Sequence, residues 1–185
     1  MSICKSCCFI GHRKIEVSNL LEEKLKRVLI YLIEKQGVTN FLFGSKSKFN
    51  DFCHVVVTKL QQKYFYIKRI AYTCKSESVI LSSEKEKWEQ IYSKFFKKQI
   101  NLFCYEQEAM YKTKYKSNKA SYIERNFAMI DDSDFCVFYY DEKYFPPQKD
   151  SNKKSYINSN RKSGTKIAYQ YAKRKNKRII RINII

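Results

Sequence analysis

Three short stretches of the sequence combine glycine with side chains that bind phosphate. They are GHR at 11–13, GSKSKFND at 44–51 and SGT at 163–165. A glycine lets the backbone approach a ligand closely, and hydroxyl groups, cations and the free N–H groups of a helix N-terminus hold an anion. Each stretch alone is also typical of a tight turn followed by a helix cap, but the three together predict a phosphate pocket. None of them matches the P-loop or the G-x-G-x-x-G dinucleotide pattern.

Each of these stretches comes after a short apolar run that we interpret as a strand. The GHR stretch follows SCCFI (6–10), and the second stretch follows the run NFLFG (40–44), whose glycine it shares. The SGT stretch follows FCVFYYD (135–141) and a polar, basic loop (146–162). The carboxyl ends of parallel strands meet at one edge of a sheet, and ligands bind there where the strand order reverses. We therefore expect the three stretches to lie at the same edge.

Amphipathic helices separate the strands. Apolar residues recur at three- and four-residue steps over 17–37, where Ser18 is suited to cap the start and Gly37 to end the helix. Further helices are predicted over 50–63, 119–133 and 163–175, and further strands over 67–72 and 178–184. The predicted inward faces are Leu20, Leu21, Leu25, Val28, Leu29, Leu32 and Ile33 in the first helix, Phe52, Val55, Val56, Val57 and Leu60 in the second, and Tyr122, Ile123, Phe127 and Ile130 in the third.

This alternation of strands and helices predicts an α/β fold. Because the strands are apolar on both faces, we expect a Rossmann-like three-layer sandwich with a mainly parallel central sheet. The length of 185 residues fits a single domain over 1–185. An insertion is predicted at about 74–117, with a helix in SEKEKWEQIYSKFFKKQ and a short strand in INLFCY. The stretch 146–162 carries both prolines and is predicted to be a flexible loop.

The net charge has two interpretations. The chain has 37 Lys and Arg against 18 Asp and Glu, for a formal charge of +19. Such a balance favours phosphate-bearing partners, namely nucleic acids, nucleotides or an anionic membrane surface. The composition, rich in Lys, Asn, Ile and Tyr, is also what an A+T-rich coding sequence produces. Since the lysines are spread through nearly every segment, we favour the compositional interpretation.

The cysteines predict a reducing compartment and no metal site. There are seven, an odd number, at positions 4, 7, 8, 53, 74, 104 and 136. No apparent signal peptide precedes them, so we expect free thiols and a cytoplasmic protein. Cys4, Cys7 and Cys8 resemble half of a zinc site, but the chain offers no second Cys/His pair at a suitable spacing. No apolar run is long enough to span a bilayer, so no membrane partner is expected.

The order of these motifs resembles the SLOG superfamily. CFIGHR, FLFGSKSKFND, ERNFAMIDDSDFCVFYYD and SGTKIAYQYAKRKNKRIIRI carry the likeness, which covers residues 7–72 and 119–184. The superfamily links the Smf/DprA type of DNA-processing protein with the "Lonely Guy" phosphoribohydrolases, and small stand-alone bacterial members are the most similar. Membership implies a Rossmann-like fold and a nucleotide pocket at the carboxyl edge. An acidic residue usually ends the loop after strand 2, where this chain has Asn50 followed by Asp51.

The phosphoribohydrolases match this chain in part. Their arginine on the helix before the penultimate strand corresponds to Arg125. Their PGGxGTxxE motif corresponds to KSGTKIA, in which Gly164 and Thr165 match but Ala168 stands in place of the glutamate. That carboxylate would support the cleavage of an N-glycosidic bond, and alanine offers neither charge nor proton. The resemblance therefore implies binding more than hydrolysis.

Other groups could supply the chemistry. Glu124, Asp141 and Glu142 are alternative carboxylates, and His12 is either a general acid/base or a neutral hydrogen-bonding group that orients its loop. We assign no catalytic residue on this basis, and whether the protein is an enzyme stays open.

Our first hypothesis is a protein that binds a nucleotide or a nucleotide-derived ligand, as a sensor or a sequestering module. The alternatives are a nucleotide N-glycosidase and a single-stranded nucleic-acid-binding module. No cofactor is expected, and a homo-oligomer is compatible with the sequence. The predicted ligand-binding residues are Gly11, His12, Arg13, Gly44, Ser45, Lys46, Asn50, Asp51, Arg125, Asn126, Ser163, Gly164 and Thr165.

Overall fold

A computed structural model describes residues 4–44, 47–75, 77–96, 102–111, 118–144 and 162–183. The strands are β1 (Lys5–Gly11), β2 (Val38–Phe43), β3 (Lys68–Cys74), β4 (Ile80–Leu81), β5 (Cys104–Tyr105), β6 (Gln107–Tyr111), β7 (Phe135–Tyr139) and β8 (Arg178–Arg181). The α-helices are α1 (Asn19–Gln36), α2 (Lys48–Gln61), α3 (Lys85–Phe96), α4 (Asn118–Asp131) and α5 (Gly164–Arg174), and a 3₁₀ turn covers Ser82–Glu84.

Six strands form one parallel sheet in the order β6-β3-β2-β1-β7-β8. The predicted Rossmann-like α/β fold is therefore confirmed. The chain builds outward from β1 through β2 and β3 to β6, and then returns to place β7 on the other side of β1. The strand order thus reverses between β1 and β7.

Local signals in the sequence fix the ends of α1. The hydroxyl of Ser18 accepts a hydrogen bond from the N–H of Leu21, and Gly37 ends the helix with φ of 71°. A side chain in this left-handed conformation is strained, so glycine favours the stop. Both predicted caps are confirmed.

The apolar core lies on both faces of the sheet because successive strand residues point to opposite sides. In β1, Cys7 and Phe9 pack on the α1 and α2 side, whereas Cys8 and Ile10 pack on the α4 and α5 side. The strands are therefore buried on both faces, which is why they read as continuous apolar runs.

Some predicted inward positions are wrong. Leu20 and Val55 are exposed, at 55% and 42%, because each adjoins a residue that better fits the buried stripe of its helix. In α4 the buried face is carried by Ser121, Arg125, Ala128, Met129 and Ile130, so only Ile130 of the predicted set lies in the core. The polar members of this face matter for the site.

The region after β3 returns to the main sheet. Strands β4 and β5 pair with each other, and β6, which the sequence did not indicate, pairs with β3 at the edge of the sheet. Glu106 holds this return in place, since its carboxylate accepts hydrogen bonds from the N–H of Arg69 at 2.5 Å, the Arg69 guanidinium at 2.6 Å and the Gln61 amide at 2.9 Å. An ion pair that is partly shielded from solvent and supported by several hydrogen bonds fixes one arrangement of the chain.

The buried cysteines behave as small apolar residues. Cys53, Cys104 and Cys136 lie in the interior, as expected, and all seven cysteines are free thiols. Within the described ranges, no helix combines the length and the apolar character that a bilayer crossing needs.

Candidate functional site

The site begins where β1 and β7 end side by side. Gly11 at the end of β1 lies opposite Tyr139 at the end of β7. In open α/β sheets the crevice at such a reversal of strand order is the usual ligand site. The residues that follow the two strands, His12 and Asp141, therefore stand at the position where a ligand is expected.

His12 connects the two strand ends. The N–H of Asp141 donates a hydrogen bond to Nε2 of His12 at 2.9 Å. Nε2 also lies 3.2 Å from the carbonyl oxygen of Asp141, so it accepts from the N–H in one neutral tautomer and donates to the carbonyl oxygen in the other. Nδ1 has no hydrogen-bond partner among the described residues. Burial lowers the pKa of His12, and the backbone and charge of Asp141 oppose that shift in part. His12 is thus a neutral, buried group that orients its loop.

A tight turn places an aromatic ring on His12. The carboxylate of Asp141 accepts from the N–H of Lys143 at 2.8 Å, and its carbonyl oxygen accepts from the N–H of Tyr144 at 3.3 Å. These bonds fold residues 141–144 back on themselves, so that the ring of Tyr144 stacks on His12 with centroids 3.8 Å apart and planes at 20°. Such offset stacking fixes both rings.

A cavity of about 630 Å³ opens at this position. We call it the switch-point cavity. Its wall combines cations, aromatic rings, carboxylates and two further side chains: Lys14, Lys143 and Arg181; His12, Tyr139 and Tyr144; Glu16 and Asp141; and Ile15 and Asn183. This mixture can contact both the phosphate and the base of a nucleotide.

One side of the cavity is formed by Arg181 at the end of β8 and by Asn183, which follows this strand. The side chain of Asn183 pairs with both backbone groups of Tyr140, accepting from its N–H at 2.8 Å and donating to its carbonyl oxygen. Arg181 also donates to that carbonyl oxygen, at 3.1 Å, and its guanidinium lies 5.6 Å from the centroid of the Tyr140 ring. Arg181 is therefore fixed by contacts that do not neutralise its charge.

Gly11 is required by close packing. A Cβ at this position would come within 2.4 Å of the Phe49 ring, far inside van der Waals contact. The hydroxyl of Ser47 donates to the carbonyl oxygen of His12 at 3.2 Å. The N–H of Lys48 donates to the carbonyl oxygen of Arg13 at 3.3 Å. The start of α2 is thereby tied to the GHR stretch.

A second group of predicted residues surrounds Gly44. Its N–H donates to the side-chain oxygen of Asn50 at 3.0 Å, which closes the loop between β2 and α2. A Cβ on Gly44 would lie 2.8 Å from Nη2 of Arg125. The guanidinium therefore packs directly against the glycine.

Arg125 is buried in an ion pair. Its Nη1 lies 3.3 Å from a carboxylate oxygen of Glu77, and both side chains are nearly inaccessible, at 4% and 6% exposure. Nη2 also donates to Asn126 at 3.2 Å, and the guanidinium lies 5.2 Å from the Tyr122 ring centroid. The sequence did not indicate Glu77, whose carboxylate additionally accepts from the N–H of Cys74 at 2.9 Å.

The third stretch begins α5. Ser163 caps the helix, with its hydroxyl accepting from the N–H of Lys166 at 3.1 Å, and Gly164 is the first helical residue. Thr165 is buried. Ala168, which stands where the phosphoribohydrolases carry a glutamate, is packed in the core on the α4 and α5 side of the sheet.

The predicted residues thus fall into adjoining groups. Of the GHR stretch only His12 lines the switch-point cavity, and the stretch touches α2. Gly44, Asn50, Arg125 and Asn126 cluster at the end of β2. Arg13 and Asp51 are exposed. Ser45, Lys46 and most of the predicted loop (146–161) lie outside the described residues. Whether any of the predicted residues binds a ligand stays a prediction.

Several cavity residues were missed by sequence reasoning. Lys14 and Lys143 stand close to predicted strand ends, and Tyr144 follows FCVFYYD by three residues. The signal available was their position after β1 and β7, but it becomes informative only once these strands are known to be neighbours. Arg181 and Asn183 lie in and after the last strand and gave no local signal.

Comparisons with known proteins bear on the fold. No protein-family model and no curated protein matches the chain. Among solved structures, one that addresses the single-stranded DNA binding mode of DNA processing protein A from Helicobacter pylori matches with a TM-score of 0.54 and 14% sequence identity. The alignment covers 96% of this chain and 64% of that one, so this chain spans less than two thirds of its length. At this identity the likeness shows a shared Rossmann-like α/β fold.

Proposed function

We propose that the carboxyl edge of the sheet binds single-stranded nucleic acid, with one nucleotide in the switch-point cavity. The observation that carries the proposal is the cavity wall, where three cations stand beside two tyrosine rings. Sites for single strands combine a cationic groove along the backbone with aromatic rings on which bases stack. The wall supplies both kinds of contact.

Two further findings support the proposal. Whatever its compositional origin, the formal charge of +19 favours association with polyanions. The structural likeness to a protein described as binding single-stranded DNA adds weight, although this likeness concerns the fold alone. The carboxylates of Glu16 and Asp141 reduce the local charge, so we expect moderate affinity with a clear dependence on salt.

A free nucleotide or nucleotide-derived ligand is the second candidate. The volume of about 630 Å³ lies within the range of roughly 300–1,000 Å³ that is common for small-molecule sites. Hydrolysis of an N-glycosidic bond has less support, because the position of the expected glutamate is taken by the buried Ala168. We therefore propose binding without a reaction.

Fluorescence anisotropy with labelled oligothymidylate tests the proposal. Replacing Lys14 and Lys143 together by alanine should weaken binding several-fold, since both line the cavity and neither forms an ion pair within the described residues. The control replaces Lys87 and Lys94 of α3 by alanine, which removes the same charge from residues that do not line the cavity. Absence of oligonucleotide binding, or equal effects of the two double variants, would contradict the proposal. Stronger binding of mononucleotides than of oligonucleotides would favour the second candidate.

A further inference from the structure

A second depression lies along α5. It has a volume of about 220 Å³ and is lined by Tyr140, Glu142, Lys166, Tyr169, Gln170 and Lys173. We call it the α5 groove. Its volume is about a third of that of the switch-point cavity, so it offers little room for a base.

The α5 groove and the switch-point cavity are separated by a single backbone segment. Along residues 140–143, Tyr140 and Glu142 line the groove, whereas Asp141 and Lys143 line the cavity. Arg181 belongs to the cavity wall, yet its guanidinium contacts the rings of Tyr140 and Tyr169 at 5.6 and 5.8 Å from their centroids. A nucleic-acid strand that left the switch-point cavity past Arg181 would therefore enter the α5 groove.

The rings of the groove hold cations and leave no face for a base. Tyr140 and Tyr169 stack on each other at 4.6 Å and are exposed by only 3% and 9%. Lys173 lies 5.0 Å from the Tyr169 centroid. Cations held against buried rings keep their charge while losing less freedom when a phosphate binds.

The spacing of the lysines fits an extended backbone. Lys166 and Lys173 are two helical turns apart and face the same groove, so their Cα atoms are about 10 Å from each other along the helix axis. This separation suits two different phosphates of one strand better than two oxygens of one phosphate.

We propose that the α5 groove is a phosphate-binding extension of the switch-point cavity, which makes the ligand a single strand of several nucleotides. The inference rests on the proposed function and names its substrate class more closely. Because the groove contacts phosphates and not bases, it adds affinity and salt dependence without adding sequence preference.

Binding of a short and a long oligothymidylate, of about four and about sixteen nucleotides, tests the inference. Replacing Lys166 and Lys173 together by alanine should weaken the long ligand and leave the short one unchanged. For a single strand each lost phosphate contact lowers the slope of log K against log salt by about 0.7, so the slope for the long ligand should fall by about 1.4. The control is again the Lys87 and Lys94 double variant on α3, whose lysines are also seven residues apart.

The outcomes separate the two proposals. If neither ligand binds the wild-type protein, the proposed function fails. If both bind but the Lys166 and Lys173 variant retains the full affinity and slope for the long ligand, or weakens the two ligands equally, the inference alone is overturned. An equal effect of the α3 control would also overturn it, because the groove would then add nothing beyond net charge.

Discussion

The N–H of Asp141 donates to Nε2 of His12 at 2.9 Å, joining the loops that follow two adjacent parallel strands. Because both strands end at the point where the strand order reverses, this bond fixes the two sides of the switch-point cavity relative to each other. It also explains the GHR stretch: glycine permits close packing with α2, histidine binds the neighbouring loop, and Arg13 extends into solvent.

Replacing His12 by phenylalanine should lower the free energy of unfolding by about 1–3 kcal/mol. The ring would still stack on Tyr144, but the N–H of Asp141 would lose its acceptor in a partly buried position. Urea denaturation measures the change. As a control, Tyr144→Ala removes the stacking and keeps the hydrogen bond; equal losses in the two variants would speak against this role of His12.

The closeness of Gly11 and Phe49 predicts a coupled effect. Gly11→Ala should destabilise the fold by about 1–3 kcal/mol, because the new methyl group would overlap the Phe49 ring. In a Phe49→Ala background the same substitution should cost much less. A double-mutant cycle by chemical denaturation checks this, and additive effects would show that the clash is relieved elsewhere.

The buried pair of Arg125 and Glu77 should be far more important than an exposed one. Glu77→Ala should cost about 3–5 kcal/mol, since it removes the carboxylate that lies 3.3 Å from a guanidinium exposed by only 4%. Lys59→Ala, which breaks the exposed pair with Glu22, should cost less than about 1 kcal/mol. Thermal and urea unfolding compare the two, and similar losses would contradict a large contribution of the buried Arg125–Glu77 pair to stability.

His54 should make the protein less stable in mild acid. Burial lowers its pKa from 6.5 to about 4, and the nearby Arg69 charge acts in the same direction, while the Cys104 carbonyl and Glu106 oppose it. The unfolded chain then binds more protons, so the contribution is complete above pH 6.5 and is lost as the pH falls toward 4. By pH 4.5 the loss should be roughly 2–3 kcal/mol.

The matched variant for this prediction is His54→Gln. It should flatten the decline of the unfolding free energy between pH 6.5 and 4.5, relative to wild type. His12, whose pKa is also lowered by burial, contributes in the same direction and is unchanged in this variant. If wild type and variant decline in parallel, His54 is not the titrating group.

The features that the sequence predicted are local ones. Ser18 and Gly37 bound α1 because a cap and a left-handed stop depend on a few adjacent residues. The strands β1, β2 and β7 were also predictable from adjacent residues, because a strand that is buried on both faces reads as a continuous apolar run. By contrast, all five residues of β6 are at least partly exposed, and its apolar residues form no buried run, so nothing in its composition marks it as a strand of the main sheet.

The site was predicted only in part because its residues are distant in sequence. Glu77 is 48 positions from Arg125, and their contact depends on where the β3 loop and α4 meet. Arg181 and Lys14 share one cavity only because β7 and β8 continue the sheet beside β1. A sequence pattern indicates which side chains follow strands, whereas strand order decides which of them meet.

Photo-crosslinking tests the central claim most directly. An oligonucleotide that contains 5-iodouracil would be irradiated with the protein, and the modified residues would be identified by mass spectrometry. Binding in the switch-point cavity predicts adducts on Tyr144 or Tyr139, the tyrosines of its wall, with loss of the adducts in the Lys14 and Lys143 double variant. Adducts confined to the α3 aromatics Trp88, Tyr92 and Phe95, or no adduct at any protein concentration that binds the oligonucleotide, would contradict it.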